Sequence, residues 1–397
     1  MTYLDWASTS PPDAGILAEA ARVAAEAYGN PSSRHVLGLE AKSRLEEARS
    51  RLSASISSSL LAGGRIVFTG GGSEADGIPL LSLFRSALNA RRDGSIKRLH
   101  LVTTEIEHAA VYEEAHLLRS LGLGVTFVEP ECDGRVDPRK VGAAVEKDTA
   151  LVAVMVVNNE TGAIQPIAEI SEAIARAASG FGRAPPRFHA DAVQALGKVE
   201  FDPGKAGVSS AAFSAHKIRG PRGVGALWLS KPLEPLSVGG GQEGGLRPGT
   251  ESIQGAWALA VAAEAARRSL AAGAEKARRL EARLIAGISA IPGALPLPEG
   301  RNAGDARYSP YILSVAFPGL SGEVLVRALS DEGVAVSTGS ACSSNSKRSG
   351  RRVLKAMGLS EPLALSAIRL STGELTSDID VDRFLEAAST VYRRFKS

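Results

Sequence analysis

The chain has 397 residues, 44% hydrophobic and 22% charged, with 46 Lys and Arg against 43 Asp and Glu. That length exceeds one typical single-core domain and predicts a large and a small unit. The formal charge of +3 gives no basis for a nucleic-acid-binding surface.

In chain order, residues 13–29 and 38–56 have helical spacing, 65–70 reads as a strand, and 73–90 reads as a helix. The strand 98–104, a helix through 109–122, strands at 124–129 and 150–159, a helix at 167–179 and a short strand at 187–193 follow. Strands alternating with helices predict an α/β fold with a mainly parallel sheet covered on both faces. Ligands of such sheets collect at the carboxyl ends of the strands. Beyond Gly249 the pattern changes to a long Ala, Arg and Glu-rich stretch, expected to be a helix or a helix pair broken near Gly273, and then to a smaller α+β unit. The segment PGALPLPEGRNAGDARYSP reads as a surface loop. The longest apolar runs, such as LVAVMVV at 151–157, are too short to span a membrane and read as buried strands.

The chain holds two cysteines, Cys132 and Cys342, neither in a CxxC, and MTYLDWASTSPP has no signal-peptide pattern. A reducing, cytoplasmic setting is expected, with no disulfide framework. Cys342 lies in AVSTGSACSSNS, among glycines and serines rather than the aliphatics that surround a packing cysteine. Cys132 in VEPECDGRVD reads as an incidental thiol in a turn.

Polar residues interrupt several strand ends. RIVFTGGGSEAD passes through three glycines to a helix start at Ser73, either a structural turn or an anion cradle of freed amides at a positive helix end. It is neither a P-loop nor a dinucleotide fingerprint. Asp191 in RFHADAVQA follows a strand as a helix cap or a functional carboxylate. Lys217 in SAHKIRG lies between two strands, and His108 in TEIEHAAV follows another. A cradle, a strand-end acid and a loop lysine are the parts needed to hold pyridoxal 5'-phosphate. The lysine forms an imine, the acid keeps the ring nitrogen protonated, and the cradle takes the phosphate.

The ordered motifs YLDWASTSP, YGNPSSRHVLGLEA, FTGGGSEADG, TEIEHAAV, VVNNETGAIQPI, FHADAVQALGK, SAHKIRGPRGVGALW, GGGQEGGLRPGT, STGSACSS and SAIRLSTG resemble the class V aminotransferase-like enzymes of pyridoxal-phosphate fold type I. Within them they are similar to the cysteine desulfurases of the NifS and IscS kind. The resemblance implies a large domain at 14–256 with a mainly parallel seven-stranded sheet between helices. It also implies a smaller α+β domain from 1–13 and 257–397 carrying the cysteine. It makes Lys217 the Schiff-base lysine, Asp191 the partner of the ring nitrogen and His108 the group stacked on the ring. Asn159 and Gln194 would lie near the ring hydroxyl, while Gly72, Ser73, Ser214 and His216 would hold the phosphate. Thr250 would reach the phosphate of a neighbouring protomer in a homodimer, and Arg369 with Asn159 would bind substrate. Lys217, His108 and Cys342 would convert L-cysteine to L-alanine, with sulfur carried on Cys342 as a persulfide. An acceptor protein, an iron–sulfur scaffold or a thiolation enzyme, would collect it.

No metal, membrane or nucleic acid is implied. A selenocysteine lyase, another lyase or aminotransferase on the same scaffold, and a non-catalytic relative are the alternatives. Three features depart from the pattern: Gly72 replaces a residue with a side chain, EGGLRPGT lacks a charged residue before the glycine and gains Pro248, and the run KRSGRR at 347–352 is unusually basic. That run is expected to be a solvated face or a docking surface for an acidic acceptor.

Overall fold

A computed structural model describes residues 1–57, 64–92, 99–339 and 351–396. The elements that position the site are strands β1 (Thr2–Tyr3), β2 (Arg65–Thr69), β3 (His100–Thr104), β4 (Gly124–Val128), β5 (Thr149–Met155), β6 (Arg187–Asp191), β7 (Ser210–Ser214) and β8 (Gly225–Leu229). Helices α1 (Ala14–Glu26), α2 (Val36–Ile56), α3 (Gly72–Arg92), α4 (Ala109–Ser120), α5 (Pro138–Ala144) and α6 (Ile167–Gly180) connect or cover them. Seven strands form one sheet in the order β2-β8-β7-β6-β5-β3-β4. Only β8 runs against its neighbours, pairing antiparallel with both β2 and β7, while β7-β6-β5-β3-β4 are parallel. β3, β7 and β8 are buried along their whole length, as apolar runs covered on both faces must be. The carboxyl ends of β2, β3, β5, β6 and β7 therefore open on one edge of the sheet.

The 37-residue helix α7 (Ile253–Ser289) is continuous, which corrects the expected break at Gly273. A side chain there would lie 2.8 Å from the Tyr311 hydroxyl, so the glycine admits a close neighbour. One mid-helix glycine costs only about 1 kcal/mol relative to alanine, which the packing of α7 against α1, α2 and α11 (Asp378–Lys396) outweighs.

The second sheet is antiparallel, in the order β12 (Ala367–Ser371), β10 (Ile312–Ala316), β9 (Leu295–Leu297). Here β9 lies inside the expected surface loop. Leu297 is buried, and Arg301 is drawn inside by Glu281 at 2.7 Å and the Thr161 carbonyl at 2.7 Å. A buried guanidinium requires such partners, and they hold the segment against the body of the protein. Helix α8 (Gly322–Asp331) leads to β11 (Val334–Ala335), which pairs in parallel with β1. α9 (Arg352–Ala356) and α10 (Glu361–Leu365) then lead into β12. A separate apolar cluster around Phe317, Phe384 and Tyr392 supports this part of the chain.

The N-terminal segment crosses between the two sheets. Leu4 N–H bonds Ala335 and its carbonyl accepts from Ser371, while Ser10 N–H bonds the His216 carbonyl at 2.8 Å. This segment thus reaches the loop that carries Lys217. Among the described residues, no helix is long and apolar enough to cross a membrane.

Candidate active site

The strand ends converge on a cavity of about 210 Å³, lined by Gly72, Ser73, His108, Asn159, Asp191, Gln194, Ser214, His216, Lys217 and Arg369. Ten of the residues singled out in the sequence therefore share one cleft. Thr250 does not reach it; it is exposed, just after Gly249. Cys342 lies outside the described residues, as do Lys347 to Gly350.

Lys217 ends a 3-10 turn (Ala215–Lys217) directly after β7. Its Nζ donates to the carbonyls of Ala7 and Ser8, each at 2.7 Å. Asp191, the last residue of β6, accepts from the Val193 amide at 2.9 Å. Burial pushes its carboxyl up, opposed by His108, that amide and Lys217. A cation placed against Asp191 would restore its charge.

One end of the cleft is built for an anion. α3 starts at Gly72, so amides without helical partners open there. The Ser214 hydroxyl is buried with no hydrogen-bond partner among the described residues, a costly state unless another group completes it. A side chain at Gly72 would come within 2.7 Å of Val193 Cγ2 and 3.5 Å of Ser214 Cβ, so the glycine is matched to Val193 on the facing turn. His216 Nδ1 pairs with the Thr9 hydroxyl at 3.2 Å.

His108 caps α4, its Nδ1 accepting from the Ala110 amide at 3.1 Å. The neutral ring therefore carries its proton on Nε2. Burial pushes the imidazole pKa down; Asp191 raises it, and Lys217 and Arg352 lower it further. Arg369 on β12 donates to the Asn159 carbonyl at 2.8 Å and, through Nη2, to Asp5 and the Ser8 hydroxyl, each at 2.7 Å. Its buried Nε has no partner among the described residues.

Among the cleft residues that the sequence did not single out are Asp76, Glu107 and Tyr112, while Arg352 entered only as part of the basic run. Glu107 directly precedes His108 in the quoted motif, and its position there was an available signal. Its Oε1 accepts from Thr104 Oγ1 at 2.6 Å and the Met155 amide at 3.1 Å, while its buried Oε2 has no partner among the described residues. Burial outweighs those two bonds and pushes the carboxyl up to about 8. Asp76 meets His189 Nε2 at 3.1 Å, and burial lowers that imidazole to about 3.

The basic run is corrected for its last two residues. Arg351 is buried and bonds the Thr338 carbonyl, so it is neither solvated nor available to an acceptor. Arg352 bonds the carbonyls of Glu105 and Glu107 and lies 3.7 Å from the centre of the Tyr112 ring. Both turn inward because carbonyls and an aromatic face replace the water they would lose.

The aminotransferase class-V family model matches residues 2–384. The chain is similar to cysteine desulfurase IscS of Anaeromyxobacter sp. (strain Fw109-5), 39% identical over 99% of this chain and 93% of that one. It is also similar to cysteine desulfurase IscS 1 of Archaeoglobus fulgidus, 37% identical over 100% of this chain and 98% of that one. Among solved structures, a NifS-like protein superposes with a TM-score of 0.85 at 32% identity, covering 99% of both chains. A fold-wide match and a cleft with lysine, acid and anion cradle at neighbouring strand ends agree, and the chain belongs to the class-V aminotransferase family.

Proposed function

We propose that the protein is a pyridoxal-phosphate-dependent cysteine desulfurase. The observation that carries this reading is the convergence of Lys217, Asp191, the unpartnered Ser214 hydroxyl and Arg369 on one cleft. The donor set fits the cofactor. The Gly72–Ser73 helix start, Ser214 and His216 would hold its phosphate, Asp191 its ring nitrogen and Lys217 its aldehyde carbon, with His108 and Gln194 against the ring. When bound, the cofactor supplies an electron sink for the substrate's α-carbon.

The chain's own residues do the rest. Arg369 offers a planar two-pronged donor to the substrate carboxylate. Lys217 moves the proton at the α-carbon, because His108 Nδ1 is occupied by the Ala110 amide and its Nε2 carries hydrogen as a donor. Cys342, as thiolate, attacks the substrate sulfur: an S–S bond forms, the substrate C–S bond breaks, and the three-carbon skeleton gains hydrogen and leaves as alanine. The net exchange, cysteine plus enzyme thiol to alanine plus enzyme persulfide, needs no external oxidant. An acceptor protein, an iron–sulfur scaffold or a thiolation enzyme, then takes the sulfur.

We also infer a homodimer. Tyr28, Val36 and Leu39 are exposed, as is Val238. The 31–39 segment adjoins the loop at 240–244, a few residues before Thr250. Exposed apolar side chains on these segments suit contact with a second copy, and Thr250 would then serve the partner's cleft.

The test is reconstitution with pyridoxal phosphate. The wild type should gain an absorbance band near the visible edge and form alanine from L-cysteine, and Lys217→Ala should lose both. A protein that binds no cofactor, or binds it identically without Lys217, contradicts the reading.

A further inference from the structure

Gln194 has both ends of its amide engaged. Nε2 donates to the Ala7 carbonyl at 2.9 Å, and Oε1 accepts from Lys198 Nζ at 3.0 Å. The same Ala7 carbonyl accepts from Lys217 at 2.7 Å. A short polar chain thus runs from Lys198 through Gln194 to the carbonyl that holds Lys217.

Lys198 is an unexpected member of this chain. It is only partly exposed, and among the described residues no carboxylate is paired with it. The charged groups facing it are Lys217 and Arg369, both cations, and with burial they push its ammonium down to about 7. Folding a long flexible side chain inward costs rotamer freedom, which a solvated lysine would keep.

Hydrogen-bond chemistry gives the placement a use. A glutamine amide can turn its oxygen and nitrogen ends over, and Lys198 only donates while it is charged, below about pH 7. Lys198 therefore accepts one orientation of Gln194, with the oxygen turned to the lysine and the NH₂ turned to Ala7 and the cleft. One of the two NH₂ hydrogens goes to Ala7, leaving the other for a group in the cleft.

We propose that Lys198, while charged, is a positioning residue that locks the Gln194 amide, so that the face presented to the cleft is a donor. This rests on the reading above in which Gln194 lies against the ring hydroxyl of the cofactor. A donor held there stabilises an anionic ring oxygen. Without it that oxygen holds the proton of the Lys217–cofactor linkage more tightly, so the pKa of the cofactor band rises. One neutral hydrogen bond corresponds to about 0.5 to 1 pH unit.

The experiment is a double-mutant cycle on the cofactor-loaded enzyme: wild type, Gln194→Ala, Lys198→Met, and the two combined. The readouts are the pH at which the cofactor band changes and the rate of cofactor release. Gln194→Ala should raise the band pKa. Lys198→Met should raise it by a substantial part of that amount, and the double variant should match Gln194→Ala alone. Lys198→Arg, which restores a pure donor, should return the wild-type value. Lys198→Gln, offering both a donor and an acceptor, should fall between, and replaces the methionine variant if that does not fold. A band unmoved by Lys198→Met while Gln194→Ala moves it, or shifts that simply add, overturns the proposal. A band unmoved by Gln194→Ala overturns the placement of Gln194 as well.

Discussion

The floor and the mouth of the cleft are built in different ways. At the floor, Asp191, Ser214 and Lys217 are set by the register of two adjacent parallel strands, so each side chain's place follows from its position in its own segment. At the mouth, Arg352 is placed by carbonyls of Glu105 and Glu107 and by the Tyr112 ring, all more than 200 positions away in the chain. Local register makes a site legible in sequence, whereas long-range polar capture hides one.

The floor should carry the largest effect. Lys217→Ala should lower the rate of alanine formation by about 10⁴-fold, because it removes both the cofactor linkage and the proton carrier. A loss of tenfold or less would mean that the floor does not work as drawn.

Glu107 tests the floor without catalysis. Its folded pKa of about 8 exceeds the ordinary carboxyl value of 4.5, so the native state binds more protons between those values. Stability of the cofactor-free protein therefore falls as pH rises from about 4.5 to about 8, by up to about 1.4 kcal/mol per pH unit from this group. Glu107→Gln should remove that component. Urea melts of both proteins at several pH values check it, and parallel pH dependences would contradict it.

At the mouth, Arg352→Gln should leave cofactor binding intact and lower turnover by roughly tenfold, the size of one lost charge-assisted contact. Since Arg352 holds the His108 pKa down, alongside Lys217 and against Asp191, the variant's imidazole should titrate at higher pH. A ring-nitrogen NMR titration reads this directly. An unchanged His108 would reduce Arg352 to a structural anchor.

The smallest effect belongs to Cys132, exposed in a turn outside the cleft. Cys132→Ser should keep activity and change stability by no more than about 0.5 kcal/mol. A larger loss would show that sulfur chemistry reaches beyond the site described.

Much of the fold was legible because β5 is a largely apolar run, and β6 and β7 end on the polar residues Asp191 and Ser214. The cleft was legible where a motif residue ends a strand. Two kinds of residue were not. Arg301 looked like part of a surface loop because its partner Glu281 belongs to another element, and a buried ion pair has no local signature. Arg351 looked solvated because a charged run ordinarily is, and only the tertiary structure supplies the Thr338 carbonyl that takes it inside. Gly273 failed as a helix break for a related reason: its neighbour Tyr311 comes from a distant strand end.

In the proposed reaction this cleft moves sulfur from L-cysteine to a cysteine of the same chain. The most direct measurement is a single turnover of the cofactor-loaded enzyme with L-cysteine and no reductant, followed by intact-mass analysis and alanine quantification. One added sulfur atom on Cys342 is expected for each alanine released, and neither product in Cys342→Ser. Alanine released at the wild-type rate from Cys342→Ser, or released by the wild type with no sulfur left on Cys342, would contradict it.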